Sequence, residues 1–327
     1  MRIKKVNIHD VELDARLDEA GFCHVATSVG ARLGAQRIGA GVYQAEAGVP
    51  IWPYHYHHGI EEWLYVIAGA PVLREPAGEL ILTSGDLVCF PSGHLGAHTV
   101  KGPGRFVIFA TGQHDEPWMS VYPDSDKASG PEGILLRSSA VGYWYGEGTA
   151  GPSEPARVVR EPRDSTPQPA VNVPAVHPEA AAPHAPAGSR YRAAQLGQLL
   201  GADRLDATVV DLDPGQGSEP YHYIYGREEW LLILAGTPVL RHEQGHDRLE
   251  AGDLMCLAEG PAGAHRLLNP GEAFVRALFL STTGLPANVC YPDTGQWLIR
   301  NALGQDAVVV DETGRCATNT TSSEAAE

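Results

Sequence analysis

Hydrophobic residues along most of the chain occur in short runs that are separated by glycine-containing turns. The runs WLYVIAG (63–69), LILTSGDLVCF (80–90) and RFVIFATG (105–112) are rich in the β-branched and aromatic residues that favour strands. Their spacing is typical of a β-barrel or sandwich. The pattern predicts an all-β protein with helix confined to the flanks, for example over Ser189–Leu200.

The same sequence pattern occurs twice along the chain. PYHYHHGIEEWLYVIAGAP (53–71) returns as PYHYIYGREEWLLILAGTP (220–238), at an offset of 167 positions (220 − 53). The offset holds without a gap over about residues 30–102, and the tripeptide YPD at 122–124 and 291–293 follows at 169 (291 − 122). An internal duplication accounts for this repetition, so the sequence predicts two copies of one domain.

The expected domain boundaries come from a change in composition between the copies. The segment STPQPAVNVPAVHPEAAAPHAPAGS is dense in proline and alanine, and proline disrupts both helices and central strands. We therefore expect an N-terminal domain over 1–144, a mostly irregular Pro/Ala-rich linker over 145–189 and a C-terminal domain over 190–311. The small, polar tail at 312–327 is expected to be disordered.

Charge and cysteine content exclude several classes of function. The chain has 40 acidic and 24 basic residues, for a net charge of −16, which repels nucleic acid and anionic membranes. Neither a signal peptide nor an apolar stretch of membrane length is recognisable, so a cytoplasmic protein with a small-molecule substrate is expected. Five cysteines without paired spacing favour reduced thiols over disulfides or a cysteine metal site.

Candidate chemistry lies in the first repeated stretch. Alternation along a strand points His55 and His57 to one face, and Glu62 and His98 follow on later strands. Neutral imidazoles with a carboxylate suit a divalent transition metal, with Fe²⁺ as the first choice and Mn²⁺, Ni²⁺, Zn²⁺ or Cu²⁺ as alternatives. Four protein ligands leave positions open on a six-coordinate ion, as a catalytic site requires.

Residues next to these ligands are assigned other roles. Glu61 and Glu228 precede the ligand glutamates, so they should point away from the metal, and we expect them on the surface. Trp63 and Trp230 are expected to pack in a core, as aromatic residues in strands usually do.

The stretch HYHHGIEEWLYVIAG (55–69) resembles the first conserved motif of the cupin superfamily, and GDLVCFPSGHLGAH (85–98) resembles the second. The resemblance spans both copies and implies a bicupin: two tandem barrels of the jelly-roll type, also called double-stranded β-helices. It implies metal ligands at His55, His57, Glu62 and His98 in the first barrel. In the second barrel it implies ligands at His222, Glu229 and His265, with Ile224 in place of the remaining histidine.

The reaction is left open because cupins include oxygenases, decarboxylases, isomerases and sensors. The leading hypothesis is a non-haem Fe²⁺ dioxygenase that acts on a small organic molecule in the N-terminal barrel, with Glu62 as a catalytic proton acceptor. One alternative is a metal-dependent isomerase, epimerase or decarboxylase of a sugar or keto acid, and another is a non-enzymatic binding protein. Only Arg74 and Arg241 are candidates for binding phosphate. A monomer and a homodimer both remain open.

Overall fold

The computed structural model describes residues 4–112, 117–140, 168–180, 188–284 and 286–299, together with the backbone of residues 300, 306–310 and 316–317. The two short helices are α1 (Gly30–Leu33) and α2 (Gly197–Leu200). Short 3₁₀ turns lie at His94–Gly96, Pro123–Ser125, Arg137–Ser139, Val173–Ala175 and Pro261–Gly263. No helix among these residues has the length and apolar character that a membrane crossing requires.

The strands come in two matching series. The first series is β1 (Val6–Asn7), β2 (Ala15–Glu19), β3 (Phe22–Ser28), β4 (Gly39–Ala45), β5 (Tyr56–His58), β6 (Glu62–Gly69), β7 (Val72–Glu75), β8 (Gly78–Ile81), β9 (Asp86–Phe90), β10 (Thr99–Lys101), β11 (Gly104–Ala110), β12 (Met119–Tyr122), β13 (Lys127–Gly130) and β14 (Gly133–Leu136). The second series is β15 (Val171–Asn172), β16 (Glu179–Ala180), β17 (Arg192–Gln195), β18 (Leu205–Leu212), β19 (Tyr223–Tyr225), β20 (Glu229–Ala235), β21 (Val239–His242), β22 (Gly245–Arg248), β23 (Asp253–Leu257), β24 (His265–Leu268), β25 (Val275–Thr282), β26 (Ala287–Tyr291), β27 (Gln296–Arg300), β28 (Asp306–Val310) and β29 (Cys316–Ala317).

Both copies use these strands in the same antiparallel arrangement. The N-terminal barrel combines a seven-stranded sheet, in the order β15-β9-β6-β11-β4-β3-β2, with the sheets β10-β7-β8 and β14-β13-β12-β5. The C-terminal barrel repeats it with β1-β23-β20-β25-β18-β17-β16, β22-β21-β24 and β19-β26-β27-β28-β29. The predicted all-β fold of two tandem jelly-roll barrels is confirmed.

Three segments differ from expectation. Ser189–Leu200 was predicted to be helical, yet only its last four residues form a helix, and Arg192–Gln195 form β17, which pairs with β18. Edge pairing there overrides the helix propensity of alanine, arginine and glutamine. The predicted linker contains β15 and β16. The predicted disordered tail contains β29, which pairs with β28, and its other residues lie outside the described ones.

The first strand of each copy is exchanged between the barrels. β1 precedes the N-terminal barrel but pairs with β23 of the C-terminal one, Val6 opposite Leu254. In the same way β15 pairs with β9 of the N-terminal barrel, Val171 opposite Leu87. The dipeptide Val-Asn opens both strands, so the repeat extends into the predicted linker. Each barrel therefore completes the large sheet of the other.

Alternation along β6 divides its side chains between two cores. Leu64 and Val66 lie in the core of the N-terminal barrel, on the same face as Glu62. Trp63 and Tyr65 point the other way, into a core that the two barrels build together. In the C-terminal barrel, Trp230 of β20 enters the same shared core, as expected for both tryptophans. Because both faces of these strands are buried, their sequences are continuously apolar.

Glu61 and Glu228 are not on the surface as expected. They are 0% and 1% exposed, and each points away from its own barrel into the other one. The Glu61 carboxylate accepts hydrogen bonds from the backbone N–H groups of Asp203, Arg204 and Leu205, at 2.6, 3.1 and 3.0 Å. The Glu228 carboxylate accepts the equivalent bonds from residues 36, 37 and 38, at 2.6, 3.1 and 2.8 Å. The pair forms a reciprocal clamp between the barrels.

This clamp predicts a large loss of stability on truncation. Glu61→Ala leaves three backbone N–H groups and the indole N–H of Trp63 without their acceptor, and each unsatisfied buried group costs about 1–3 kcal/mol. We expect the free energy of unfolding, measured by urea denaturation, to fall by about 3 kcal/mol or more. Glu12→Ala, at an exposed carboxylate, is the control and should stay within about 0.5 kcal/mol of wild type. A Glu61→Ala protein as stable as this control would contradict the clamp.

Candidate metal centres

Four side chains converge in the N-terminal barrel from separate elements. His55 and His98 lie opposite each other in an antiparallel bridge, while His57 belongs to β5 and Glu62 begins β6. One carboxylate oxygen of Glu62 lies 3.1 Å from His57 Nε2 and 3.5 Å from His98 Nε2. The ring centroids of His55 and His57 are 4.7 Å apart. The structure thus brings together all four ligands that the sequence predicts for this barrel.

Main-chain carbonyls fix the orientation of two of these imidazoles. His55 Nδ1 donates to the carbonyl of Pro53 and His98 Nδ1 to the carbonyl of Gly96, both at 2.8 Å. A carbonyl can only accept, so the hydrogen is on Nδ1 and the lone pair of Nε2 faces the site. His57 Nδ1 is hydrogen-bonded to Ser120 Oγ at 2.8 Å. Such outer partners orient the histidines of metal sites in general.

The protonation and hydrogen bonding of this cluster fit a metal ion. Burial lowers the pKa of His98 to about 3 and also lowers the pKa of His55, so both imidazoles are neutral at neutral pH. Burial alone would raise the pKa of Glu62, but the adjacent His57 and the other two imidazoles bring it down to about 2. His57 Nε2 is buried, and the Glu62 oxygen that lies 3.1 Å from it is not in hydrogen-bonding geometry. A divalent transition metal would satisfy that nitrogen and the carboxylate together.

The C-terminal barrel repeats the arrangement with three groups. The ligand atoms of His222, Glu229 and His265 lie within 4.8 Å of one another, as do those of His55, Glu62 and His98. His222 Nδ1 donates to the carbonyl of Pro220 and His265 Nδ1 to that of Gly263, so their Nε2 atoms also face the site. Burial lowers the pKa of both histidines.

The fourth position of this second centre has changed together with its partner. In the first barrel His57 pairs across the strands with Ser120, the residue that holds its ring. In the second barrel the corresponding pair is Ile224 and Val289, both apolar. Burial raises the pKa of Glu229, opposite to the shift of Glu62, since fewer imidazoles surround it. The candidate ligand and its hydrogen-bond partner are therefore both replaced by apolar residues in the second barrel.

The two cavities beside the centres differ in size. The N-terminal cavity has a volume of about 220 Å³ and the C-terminal one about 660 Å³. In the first barrel a cluster of His24, Tyr43 and Trp52 fills the space next to the metal ligands, with ring centroids 4.4 to 6.4 Å apart. At an offset of 167 these positions are Tyr191, Val210 and Glu219. The loss of two large rings enlarges the second cavity.

The repeated YPD motif also has a structural role that the sequence did not reveal. Its tyrosines lie beside the metal ligands: Tyr122 stacks near His55, with ring centroids 5.9 Å apart, and Tyr291 lies equivalently near His222 at 6.0 Å. Both tyrosines line their cavities. The signal for them in the sequence was the exact repetition of the motif.

The aspartates of the same motif neutralise the two arginines that were considered for phosphate. Arg74 makes two hydrogen bonds to Asp124, at 2.5 and 3.0 Å, and its guanidinium lies 3.9 Å above the ring of Tyr54. Arg241 bonds to Asp293 in the same way. Neither arginine lines the cavity of its barrel. These residues hold the wall of the barrel rather than a phosphate group.

No protein-family model matches the chain, and no curated protein matches it. Among solved structures, oxalate decarboxylase from Bacillus subtilis at pH 4.6 is similar over 84% of this chain and 75% of its own, at 14% identity and a TM-score of 0.48. A further structure of that enzyme, which concerns its Mn(II) centres, covers 84% and 76%, at 15% identity and a TM-score of 0.47. A sugar phosphate isomerase of the cupin superfamily from Silicibacter pomeroyi covers 39% of this chain and 81% of its own, at 23% identity and a TM-score of 0.37.

The hydrogen bond between Ser120 and His57 predicts weaker metal binding when it is removed. Loss of an outer-shell partner typically lowers metal affinity about 10- to 100-fold. We expect Ser120→Ala to lower the affinity of the N-terminal centre for Zn²⁺ within that range, measured by competition with a chromophoric chelator. Ser28→Ala, at an exposed position of β3, serves as the control and should leave the affinity unchanged. Equal affinities for the two variants would show that Ser120 does not position His57.

Proposed function

We propose that the protein is a metal-dependent enzyme, a non-haem Fe²⁺ dioxygenase that acts on a small organic molecule in the N-terminal barrel. The observation that carries the proposal is the convergence of three imidazoles and one carboxylate on a buried cavity. Two imidazoles are fixed through Nδ1 to main-chain carbonyls, and the buried Nε2 of the third lies 3.1 Å from the carboxylate. Such a site is built to hold an ion and still has space beside it for a substrate.

Each residue of the first centre has a defined part in this proposal. His55, His57 and His98 would bind the ion through Nε2, and Glu62 through its carboxylate. Bound iron would supply a Lewis acid, redox chemistry and open coordination positions. The surrounding wall of Tyr43, Leu64 and Ile108 would exclude water from these positions. In a dioxygenase reaction both oxygen atoms of O₂ enter the organic product, so no additional reductant is needed.

Glu62 is also proposed as the catalytic base. Its carboxylate lines the cavity, so it lies within reach of a proton on a molecule bound there. A proton from an acidic hydroxyl of the substrate would pass to one carboxylate oxygen while the histidines keep their positions. Burial and neighbouring charges tune carboxylates for this role in many active sites.

The cavity limits the class of substrate. Its volume of about 220 Å³ exceeds the ~150 Å³ of an engineered cavity that binds benzene, so a molecule of about one six-membered ring fits. No lysine or arginine is among its described lining residues, and the nearest candidate, Arg74, is paired with Asp124. We therefore infer a neutral or weakly acidic ring compound, or a similarly compact hydroxylated molecule, rather than a phosphosugar.

The C-terminal barrel is proposed to bind a second divalent ion through His222, Glu229 and His265. Two histidines and one carboxylate are a known ligand set for non-haem iron. The apolar pair Ile224 and Val289 takes the place of the third imidazole and its hydrogen-bond partner, so this centre has a different donor set from the first. The main chemistry is accordingly assigned to the N-terminal barrel.

The metal and the use of oxygen can be tested on the full chain. We expect elemental analysis of protein purified without added metal to find iron, and the anaerobically reconstituted Fe²⁺ form to bind nitric oxide. Oxygen consumption should rise with one or more compounds in a panel of small hydroxylated aromatics. If the iron form binds no nitric oxide and consumes no oxygen with the whole panel, the dioxygenase proposal fails. An isomerase or decarboxylase that uses Mn²⁺, Ni²⁺ or Zn²⁺ would then be tested on sugars and keto acids.

The assignment of the main chemistry to the N-terminal barrel can be tested by giving that barrel the residues found at the corresponding positions of the C-terminal barrel. His57→Ile with Ser120→Val gives the first centre the apolar pair of the second. We expect this variant to lose turnover by at least about 100-fold, because the site loses both a ligand and its orienting partner. His222→Ala should retain most of the turnover. Equal losses in the two variants would show that both barrels take part in the chemistry.

A further inference from the structure

The C-terminal cavity contains a carboxylate that has no equivalent in the first barrel. Glu219 stands where the first copy has Trp52, and each residue directly precedes the proline that begins its repeated stretch. A residue before proline is held in extended conformations, so both side chains leave the chain from similar backbone geometry. Both side chains line the cavities of their barrels. The exchange therefore places a charged group where the first barrel has an aromatic ring.

The carboxylate lies against a donor atom of the second centre. Glu219 Oε2 is 3.7 Å from His222 Nε2, the nitrogen that faces the site because Nδ1 donates to Pro220. Two donor atoms that bind one ion at about 2.1 Å typically lie about 3–4 Å from each other. The distance is therefore that of two ligands sharing an ion. The side chain is 48% exposed, which leaves it room to move toward the ion.

A second contact orients this carboxylate. Its other oxygen, Oε1, accepts a hydrogen bond from the hydroxyl of Tyr191 at 3.0 Å. Burial, and then the neighbouring Glu219 charge, raise the pKa of Tyr191, so the phenol keeps the proton that it donates. Ligating carboxylates in metal sites are commonly held by such a hydrogen bond. Tyr191 stands where the first copy has His24, so both members of this hydrogen-bonded pair differ from their counterparts in the first copy.

We propose that Glu219 is the fourth metal-binding group of the C-terminal barrel and takes over from the missing histidine. This rests on the metal assignment proposed above for His222, Glu229 and His265. The resulting set has two imidazoles and two carboxylates, whereas the first centre has three imidazoles and one carboxylate. Two carboxylates balance the charge of a divalent ion. Oxygen donors favour harder ions, so the second centre should prefer Mn²⁺ more strongly, relative to Ni²⁺, than the first centre does.

The test uses the full chain with the first centre disabled by His57→Ala and His98→Ala. Mn²⁺ affinity is measured from the EPR signal of free Mn²⁺, and Ni²⁺ affinity by calorimetry. We expect Glu219→Gln to weaken Mn²⁺ binding at least about 10-fold and to weaken Ni²⁺ binding less, since an oxygen donor is lost. Tyr191→Phe should weaken Mn²⁺ binding by a smaller factor. The control Glu272→Gln, at an exposed carboxylate, should leave both affinities unchanged.

The outcomes separate this inference from the proposal on which it rests. If His222→Ala abolishes Mn²⁺ binding while Glu219→Gln does not change it, the centre exists but Glu219 is not a ligand. If His222→Ala has no effect either, the C-terminal metal assignment itself is wrong. Thermal unfolding of each metal-free variant identifies any that fail to fold. Should Glu219→Gln be one of them, Glu219→Ala replaces it: this variant has no side-chain oxygen to offer the ion, and unchanged Mn²⁺ and Ni²⁺ affinities would likewise overturn the inference.

Discussion

Two buried carboxylates, Glu61 and Glu228, link the two barrels, and each directly precedes a candidate metal ligand in the sequence. Each accepts three backbone hydrogen bonds from the opposite barrel, and the exchanged strands β1 and β15 extend the same contact. The next residue in each copy, Glu62 or Glu229, points into its own barrel. One strand end is therefore anchored to the partner barrel on one side and carries a candidate metal ligand on the other. The contact between the barrels and the position of the candidate ligand are therefore linked through the peptide bond that joins two adjacent glutamates.

Within this shared frame the two copies have diverged in pairs of contacting residues. The candidate ligand His57 and its hydrogen-bond partner Ser120 correspond to the apolar pair Ile224 and Val289. The neighbouring rings of His24 and Trp52 correspond to Tyr191 and Glu219, which are hydrogen-bonded to each other. Paired change is expected where burial is high, because a polar group left without its partner is costly. The same barrel fold thus surrounds a small cavity with three imidazoles in one copy and a larger cavity with an additional carboxylate in the other.

Several features were predictable because they depend on periodicity or repetition. Strand alternation put His55 and His57 on one face, and the offset of 167 identified the duplication. The predictions failed where a segment is stabilised by distant contacts. The helix propensity of Ser189–Leu200 yields to pairing with β18, and the proline-rich linker supplies β15 because the edge of β9 is open to it. The composition of a segment does not reveal that a strand edge in the other copy is available to pair with it.

The sequence by itself predicted the all-β fold and the two copies, since strand alternation and repetition are visible in it, and the resemblance to the cupin motifs implied the seven candidate ligands. Only the tertiary structure decided that Glu61 and Glu228 are buried and that Glu219 lies beside His222. It also decided that the second cavity is three times the volume of the first, about 660 against 220 Å³. The sequence alone does not distinguish a glutamate exposed to water from one that accepts hydrogen bonds from three N–H groups or one that lies beside a candidate metal centre. What distinguishes these cases is the approach of residues far away in the chain, because burial and hydrogen bonding arise only once the barrels have docked.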